Sequence, residues 1–359
     1  MDHAYLKKLG FEQKFEQEAE LYDGLLPVRV SEQHRELYKV IGPKGEMQAV
    51  VSGKLAFRSS DNLDYPAVGD WVMVDREDDH GGNAIIHAVL SRKSVFERKA
   101  AGTSNTAQIV AANIDIVFIC MSLNADFNIR RLERYLAIAW SSRAKPVIVL
   151  TKSDLSRDVS GYLSEIATVS GGADVLVSSS MQEDGLADVS NYIREGCTIA
   201  FIGSSGVGKS SMINRLAGRE ILETKEIRED DAKGRHATTH RQLIVLPGGG
   251  IVIDTPGMRE LQLDACDLSR TFEEIETIAE GCRYRDCTHT SEPGCAVRKA
   301  IEKGSLSQER LNSYLKLQKE AGYEGLDSRR LEEEKIKRMF GSKGEMKQAM
   351  RFAKNKNKR

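Results

Sequence analysis

The chain has 359 residues, of which 40% are hydrophobic and 29% are charged, and its formal net charge is −1. This length allows two or three compact domains, and the composition is too polar for a membrane protein. No apolar run approaches the roughly 20 residues that a membrane-spanning helix requires, and the polar start from Met1 to Tyr5 lacks the basic and apolar regions of a signal peptide. We therefore expect a cytoplasmic protein that does not enter a membrane.

The first predicted domain is a small all-β barrel. After an amino-terminal extension over residues 1–24, the stretch 25–105 contains short alternating runs, such as 28–30 and 69–74, separated by turns rich in Gly, Pro and Asp. About five short strands in this length fit an oligonucleotide-binding (OB) barrel. An SH3-like barrel has the same periodicity, so at this point the sequence leaves the choice between the two open.

Residues 106–264 are predicted to form an α/β domain, because apolar strands alternate there with amphipathic helices. One helix carries Leu132, Leu136 and Trp140. Strands buried on both faces and joined by helical crossovers indicate a parallel sheet. The predicted strands cover residues 115–120, 146–150, 174–177, 198–203, 242–246 and 250–254. A polar helical domain over 265–325 and a charged, basic tail over 326–359 complete the chain.

The segment from Gly203 to Ser210 matches the phosphate-loop pattern in full. It follows an apolar strand and precedes a helix, which is the structural context that this motif requires. Lys209 is expected to reach the β- and γ-phosphate oxygens, and the Ser210 hydroxyl to ligate Mg²⁺. The predicted nucleotide-binding residues of this loop are Gly203, Ser204, Ser205, Gly206, Val207, Gly208, Lys209 and Ser210.

A second strand is predicted to end at Asp254, whose carboxylate is expected to hold Mg²⁺ through a water molecule. The backbone amide of Gly257 is then expected to contact the γ-phosphate. The polar stretch 234–240 is predicted to be a mobile switch. Thr238 is the first candidate to close over Mg²⁺ and the γ-phosphate, and Thr239 is the second. A pair of threonines at a strand edge is the structural alternative.

Hydrolysis by the isolated protein is expected to be slow. Met258 stands where Ras-like proteins have the glutamine that orients the attacking water, and a thioether can neither donate to that water nor accept a strong hydrogen bond from it. His236 in the predicted switch has a usable neutral imidazole, and we name it as a candidate catalytic residue, with Lys209, Ser210 and Thr238. A solvated loop histidine is the alternative.

The run Thr151-Lys152-Ser153-Asp154 is predicted to select guanine. A carboxylate accepts hydrogen bonds from the N1 and N2 donors of guanine, whereas adenine presents an acceptor at this edge. Thr151 stands where many GTPases have Asn. We therefore expect a shorter side chain to connect this run to the phosphate loop, and a weaker affinity for guanine. The loop 177–179 is expected to contact the guanine base through a main-chain amide. In this chain the base-reading run precedes the phosphate loop, which reverses the order of ordinary small GTPases.

Three cysteines and a histidine lie within fourteen residues in the pattern Cys-x4-Cys-x-His-x5-Cys. Three thiolates and one nitrogen complete a closed tetrahedral zinc site of the structural type, and free or buried thiols are the alternative. The predicted ligands are Cys282, Cys287, His289 and Cys295. The scattered cysteines 120, 197 and 266 are expected to serve packing. Several arginines around the cluster could form a basic face for phosphates, or be ordinary surface residues.

These motifs together resemble the circularly permuted, ribosome small-subunit-dependent GTPases, the RsgA (YjeQ) family. The resemblance rests on the phosphate loop, the Gly-Arg-His-x-Thr-Thr-His and Asp-Thr-Pro-Gly-x-Arg-Glu segments, the reversed motif order and the Cys/His cluster, and it covers almost the whole chain. It implies an OB barrel, a circularly permuted P-loop GTPase domain and a helical zinc-binding domain. It also implies binding to the maturing small ribosomal subunit and its rRNA, with GTP hydrolysis to GDP and phosphate stimulated by that subunit.

By position, the resemblance implies that Thr151, Lys152, Ser153, Asp154 and the loop from Gly203 to Ser211 surround GTP, and that the Cys/His cluster binds one zinc ion. The chain departs from the family pattern at Thr151, Ala237, Met258 and a long charged carboxyl-terminal extension. The carboxyl-terminal extension is the departure expected of a divergent or second copy. Two other functions compete with the GTPase. One is an RNA-docking module in which GTP is only a conformational ligand, and the other is a metal chaperone. Nothing in the sequence demands more than a monomer.

Overall fold

The protein is described by a computed structural model over residues 2–34, 37–59, 62–99, 107–124, 126–222, 241–254 and 268–321. The strands are β1 (Leu26–Gln33), β2 (Tyr38–Gly42), β3 (Gly45–Val51), β4 (Trp71–Val74), β5 (Ala84–Val89), β6 (Val95–Lys99), β7 (Ala107–Ala112), β8 (Ile116–Ser122), β9 (Lys145–Thr151), β10 (Asp174–Val177), β11 (Thr198–Ile202), β12 (Gln242–Val245) and β13 (Ile251–Asp254).

The helices are α1 (His3–Lys8), α2 (Gln13–Ala19), α3 (Gly53–Arg58), α4 (Ile129–Ser141), α5 (Val159–Ala167), α6 (Ala187–Asn191), α7 (Lys209–Ala217), α8 (Glu273–Ala279), α9 (Ala296–Glu302) and α10 (Gln308–Ala321). Of the helices in the described ranges, none combines the length and the apolar character needed to span a bilayer.

Strands β1 to β5 close into a barrel in the order β1-β2-β3-β5-β4, and β4 pairs back to β1. Strands β3 and β5 run parallel, and α3 connects β3 to β4 with Ser52 as its amino-terminal cap. This strand order is that of an OB fold, so the SH3-like alternative is wrong. Alternating side chains of the strands, among them Val30, Val40 and Val72, fill the barrel interior.

The α/β domain is a sheet in the order β10-β9-β8-β11-β13-β12. Its first five strands are parallel, and β12 pairs antiparallel with β13. Separate apolar clusters cover its two faces, as expected for a parallel sheet joined by helical crossovers. The predicted parallel α/β domain is therefore confirmed.

The amino-terminal residues, which the sequence predicted as an extension, form α1 and α2 and pack against the barrel. Phe11 and Phe15 are buried beside Trp71. The guanidinium of Arg29, which is 1% exposed, donates hydrogen bonds to the carbonyl oxygens of Leu9, Gly69 and Asn113. Burial lowers the pKa of Arg29 to about 10, so the residue stays charged at neutral pH. One side chain thus fixes the helices, the barrel and the α/β domain to one another.

The carboxyl-terminal helices share an apolar core with the α/β domain. Phe272 before α8 and Leu311 and Tyr314 of α10 belong to the same cluster of buried residues as Leu132 and Leu136 of α4. A helical region around the Cys/His cluster is confirmed, and it packs directly on the domain that precedes it. The predicted domain limits stay predictions. The hairpin β6–β7 lies across the predicted boundary between residues 105 and 106.

Candidate nucleotide site and metal centre

Both predicted nucleotide motifs lie at one edge of the sheet. The run from Thr151 to Asp154 follows β9, and the loop from Gly203 follows β11, with β8 between these two parallel strands. Asp254 ends β13, which pairs with β11 on its other side. Ligands of open α/β sheets bind outside the carboxyl ends of the strands. The topology therefore brings together segments that are about fifty residues apart in the chain.

Two glycines of the phosphate loop have positive φ angles, which other residues rarely adopt. Gly203 has a φ of +145°, and a Cβ atom there would lie 2.4 Å from the carbonyl oxygen of Cys120. Gly208, with a φ of +101°, caps the amino terminus of α7. Lys209 folds back along the loop, and its Nζ donates to the carbonyl oxygens of Gly203 and Ser204 at 2.8 and 2.6 Å. These contacts fix the ammonium group over the loop, which is where a bound phosphate needs a cation.

Thr151 ties the base-reading run to the phosphate loop. Its side chain is buried, and its hydroxyl donates to the carbonyl oxygen of Val207 at 2.6 Å. The sequence predicted a shortened tie because threonine is smaller than asparagine. The hydroxyl nevertheless reaches the loop, so the connection between the two segments is present.

Asp154 accepts a hydrogen bond from the loop that follows β10. The hydroxyl of Ser179 donates to Asp154 Oδ1 at 2.5 Å, and the amide of Ser153 donates to the carbonyl oxygen of Ser178 at 3.2 Å. Lys152 adopts a left-handed conformation with a φ of +57°, which turns the chain sharply out of β9. The loop 177–179 was predicted to supply a main-chain amide. The part played by the Ser179 side chain was missed, because β9 and β10 become neighbours only in the folded sheet.

Several predicted residues of the hydrolytic centre lie outside the described residues. These are His236, Thr238, Thr239, Gly257 and Met258. Of the predicted Mg²⁺ residues, Ser210 lies in the first turn of α7 and Asp254 lies at the end of the neighbouring strand. A hydroxyl and a carboxylate at the same edge are oxygen donors of the kind that Mg²⁺ prefers.

The four predicted zinc ligands form one compact cluster. Their ligand atoms all lie within 4.8 Å of one another. The Sγ atoms of Cys282 and Cys295 are 4.0 Å apart, and they lie 3.7 and 3.5 Å from Nδ1 of His289. A tetrahedral zinc site has edges of about 3.8 Å between thiolates and about 3.5 Å between thiolate and imidazole nitrogen. The edges among Cys282, His289 and Cys295 are close to these values, so the cluster is compatible with a zinc ion.

The backbone around the cluster supports thiolate ligands. The amide of Ala296 donates to Sγ of Cys282 at 3.3 Å, and the amide of Arg298 donates to Sγ of Cys295 at 3.4 Å. Burial raises the pKa of the Cys282 thiol, but hydrogen bonds from amides and from the neighbouring thiols outweigh it, so the pKa lies below its usual value. Burial raises the pKa of the Cys287 thiol to about 11, so the amides favour the thiolate form of Cys282 and not of every cysteine in the cluster. Cys120 lies away from the cluster. It is buried, and burial raises its pKa to about 12, which agrees with a packing role.

The comparisons with known proteins agree with these features. A family model described as RsgA GTPase matches residues 89–264. The chain is 54% identical over 325 residues to "Small ribosomal subunit biogenesis GTPase RsgA 2" of Lactiplantibacillus plantarum, covering 90% of this chain and 92% of that one. It is 44% identical to the RsgA protein of Opitutus terrae, covering 84% and 85% of the two chains. The chain belongs to the RsgA GTPase family.

Solved structures show the same architecture as this RsgA-family chain. The crystal structure of YjeQ from Thermotoga maritima is 25% identical, with a TM-score of 0.61, and covers 83% of this chain and 98% of its own. The structure of YloQ, described as a circularly permuted GTPase, is 24% identical, with a TM-score of 0.59, and covers 84% and 96%. The combination of OB barrel, permuted GTPase domain and carboxyl-terminal Cys/His domain is therefore confirmed, as is membership of a family of GTP hydrolases.

Arg131 at the start of α4 is a further residue at the nucleotide edge of this RsgA-family chain. Its Nη1 donates to the hydroxyl of Ser204 in the phosphate loop and lies 2.9 Å from Asp126 Oδ2. This arginine was not among the residues predicted from the sequence. No motif marks it, because the phosphate loop lies more than seventy residues later in the chain and the contact exists only in the folded sheet.

Proposed function

We propose that the protein hydrolyses GTP to GDP and phosphate in the cytoplasm, during late maturation of the small ribosomal subunit, and that the subunit stimulates this hydrolysis. The observation that carries the nucleotide part is the hydrogen bond from Thr151 to Val207. It joins a Thr-Lys-Ser-Asp run to a complete phosphate loop at the ligand-binding edge of the sheet. The names of the family's relatives supply the ribosomal part.

In this proposal the phosphate loop and its lysine stabilise the transferred phosphoryl group. The backbone amides between Gly203 and Ser210 face the β-phosphate, and Lys209 offsets the charge that develops on the γ-phosphate. Ser210 and Asp254 would hold Mg²⁺, which supplies further neutralisation of the phosphate oxygens when it is bound. His236 and Thr238 stay candidates for positioning water and for closing the switch.

Guanine selection is assigned to Asp154, whose carboxylate is oriented by Ser179. An Asp154→Asn variant places an amide where guanine has two donors, so we expect GTP affinity to fall by about 100-fold or more. Affinity for xanthosine triphosphate should rise, because xanthine has an acceptor at C2 that the new amide can satisfy. Calorimetric titration of both nucleotides measures this exchange. Asp188→Asn on α6, an exposed carboxylate, is the matched control. Unchanged GTP binding in Asp154→Asn would contradict the assignment.

The proposed partner is the small subunit and its rRNA, bound by a monomer through the barrel and the carboxyl-terminal domain. Tyr284, which is 41% exposed, lies beside the guanidinium of Arg283, next to the zinc cluster. A basic group and an exposed ring at one place suit a phosphate backbone with unpaired bases. One zinc ion per chain is proposed as the support for this surface.

Phosphate release with and without purified small subunits tests the proposal. The isolated protein should be slow, and small subunits should accelerate it by at least about tenfold, whereas large subunits should not. The competing function is an RNA-docking module in which GTP is a conformational ligand, and Met258 is the residue that favours it. Nucleotide-dependent binding to the subunit without any acceleration would support the module and overturn the stimulated enzyme.

A further inference from the structure

Helix α4 contacts the phosphate loop at its amino-terminal end. Arg131, in its first turn, donates through Nη1 to the Ser204 hydroxyl. Its side chain is 30% exposed and is held on the other side by Asp126, whose Oδ2 lies 2.9 Å from the same nitrogen. The guanidinium is therefore fixed between Asp126 and the phosphate loop. It reaches the phosphate loop from helix α4 and not from the predicted switch segments.

The same helix contacts the carboxyl-terminal domain two residues later. Glu133 has no exposed surface, and its carboxylate accepts from Nη1 of Arg310 at 2.6 Å and from the hydroxyl of Ser313. Arg310 is held in turn by Glu274 at 2.5 Å and by the carbonyl oxygen of Thr271 at 2.6 Å. Separating a buried ion pair is strongly unfavourable, because each charge is left without compensation. The junction of α4 and α10 therefore behaves as one rigid unit.

Residues two positions apart on a helix point to different sides of it. Arg131 and Glu133 thus engage different neighbours from adjacent points of one rigid element. Arg134 of α4 forms a second ion pair with Glu320 at the end of α10. Its Nη1 lies 2.5 Å from Glu320 Oε2, and the pair stabilises the same junction. A shift of the phosphate loop relative to the sheet would be carried by α4 to α10 without passing through the chain segment that follows Asp254.

We propose that Arg131 is a positioning residue that links occupancy of the phosphate loop to the carboxyl-terminal domain through α4. The inference rests on the proposed function, since it takes the loop from Gly203 to Ser210 as the nucleotide site. Nucleotide that orders this loop also orders the Ser204–Arg131 contact. The order then extends through Glu133 and Arg310 to α10, which belongs to the predicted zinc-binding domain.

The test is amide hydrogen exchange of α10 (Gln308–Ala321) in the full-length protein, with and without GDP. We expect GDP to slow exchange in α10 by at least about fivefold in the wild type, the lower end of typical coupling between sites. In Arg131→Gln, GDP should still bind, within about tenfold of the wild-type Kd, while the slowing in α10 is lost. Arg131→Lys, which keeps the charge, should restore part of it.

Ser204→Ala, which removes the acceptor and leaves Arg131 in place, should give the same loss of slowing. The matched control is Arg143→Gln, the same charge change at an exposed position just beyond the other end of α4, and it should behave as the wild type does. Two results would overturn the inference: α10 exchange that is unaffected by GDP in a wild type that binds it, or full slowing in Arg131→Gln. A wild type that binds no guanine nucleotide would instead refute the proposed function itself.

Because the role is one of position, kinetics provide a second readout. Arg131→Gln should raise the KM for GTP less than it lowers the stimulation of kcat by small subunits, since the carboxyl-terminal domain would no longer act on the loop through α4. A variant that changes only KM would mark Arg131 as a plain binding residue and contradict the proposed link.

Discussion

Replacement of Lys209 by alanine is expected to lower the rate of GTP hydrolysis by about 100-fold or more, both with and without small subunits. The ammonium group is fixed over the phosphate loop by two carbonyl oxygens, so it is already in place when the charge on the γ-phosphate develops. Affinity for GTP should fall more than affinity for GDP, because the missing charge faces both terminal phosphates of GTP. Phosphate release and calorimetric titration measure the two effects.

The control for this prediction is Lys303→Ala, which removes an exposed lysine at the end of α9, away from the nucleotide edge. It should leave both hydrolysis and binding unchanged. A Lys209→Ala protein that hydrolyses GTP within about threefold of the wild-type rate would show that the loop does not hold the transferred phosphate, and the assignment of Gly203 to Ser210 would then be wrong.

Removal of zinc, or the substitution Cys295→Ser, is expected to unfold the region around the cluster and to abolish stimulation by small subunits. Structural zinc contributes about 10–16 kcal/mol of apparent binding free energy in small domains, and that energy stabilises the folded state. Cys295 is 6% exposed and caps α9, so its loss affects both the metal and the helix. Elemental analysis should find one zinc ion per chain in the wild type. Limited proteolysis should cleave the variant at sites within the carboxyl-terminal region that begins at residue 268.

Nucleotide binding by the zinc-free protein should fall only modestly, by less than about tenfold, because the phosphate loop and Thr151 belong to the sheet. Some loss is expected, since Phe272 and Leu311 complete the core that also contains Leu136. The matched control is Cys197→Ser, a half-buried thiol outside the cluster. Full stimulation by small subunits in a folded, zinc-free Cys295→Ser protein would refute the idea that the zinc domain passes the signal.

The sequence predicted those parts of the site whose chemistry is local. A phosphate loop needs glycines and a lysine at fixed spacing after a strand, and Gly203, Gly208 and Lys209 meet that need in the structure. The predicted zinc ligands lie within fourteen residues, and the distances between them follow from a short segment closing on itself. The permuted order of motifs is also readable directly from the chain, and together these features identify the family.

Other features depended on chain segments that meet only in the fold. The choice between OB and SH3-like barrels follows from the parallel pairing of β3 with β5, which alternation along a strand cannot encode. The amino-terminal residues show no motif, yet Phe11 and Phe15 are part of the barrel's packing because Trp71 offers them a surface. Arg29 is one basic residue among fifty-two in the sequence, and only its burial against three carbonyl oxygens makes it an anchor.

Local patterns thus predicted the chemistry of this protein, namely its phosphate loop, a carboxylate for guanine, four ligands for zinc and a parallel α/β domain between a barrel and a helical region. The tertiary structure decided which distant residues hold these groups in place: Thr151 on Val207, Ser179 on Asp154, and α4 between the phosphate loop and α10. The physical reason is range. Spacing along the chain fixes ligands within one turn or loop, whereas contacts across strands arise from sheet order and helix packing, which no short stretch of sequence contains.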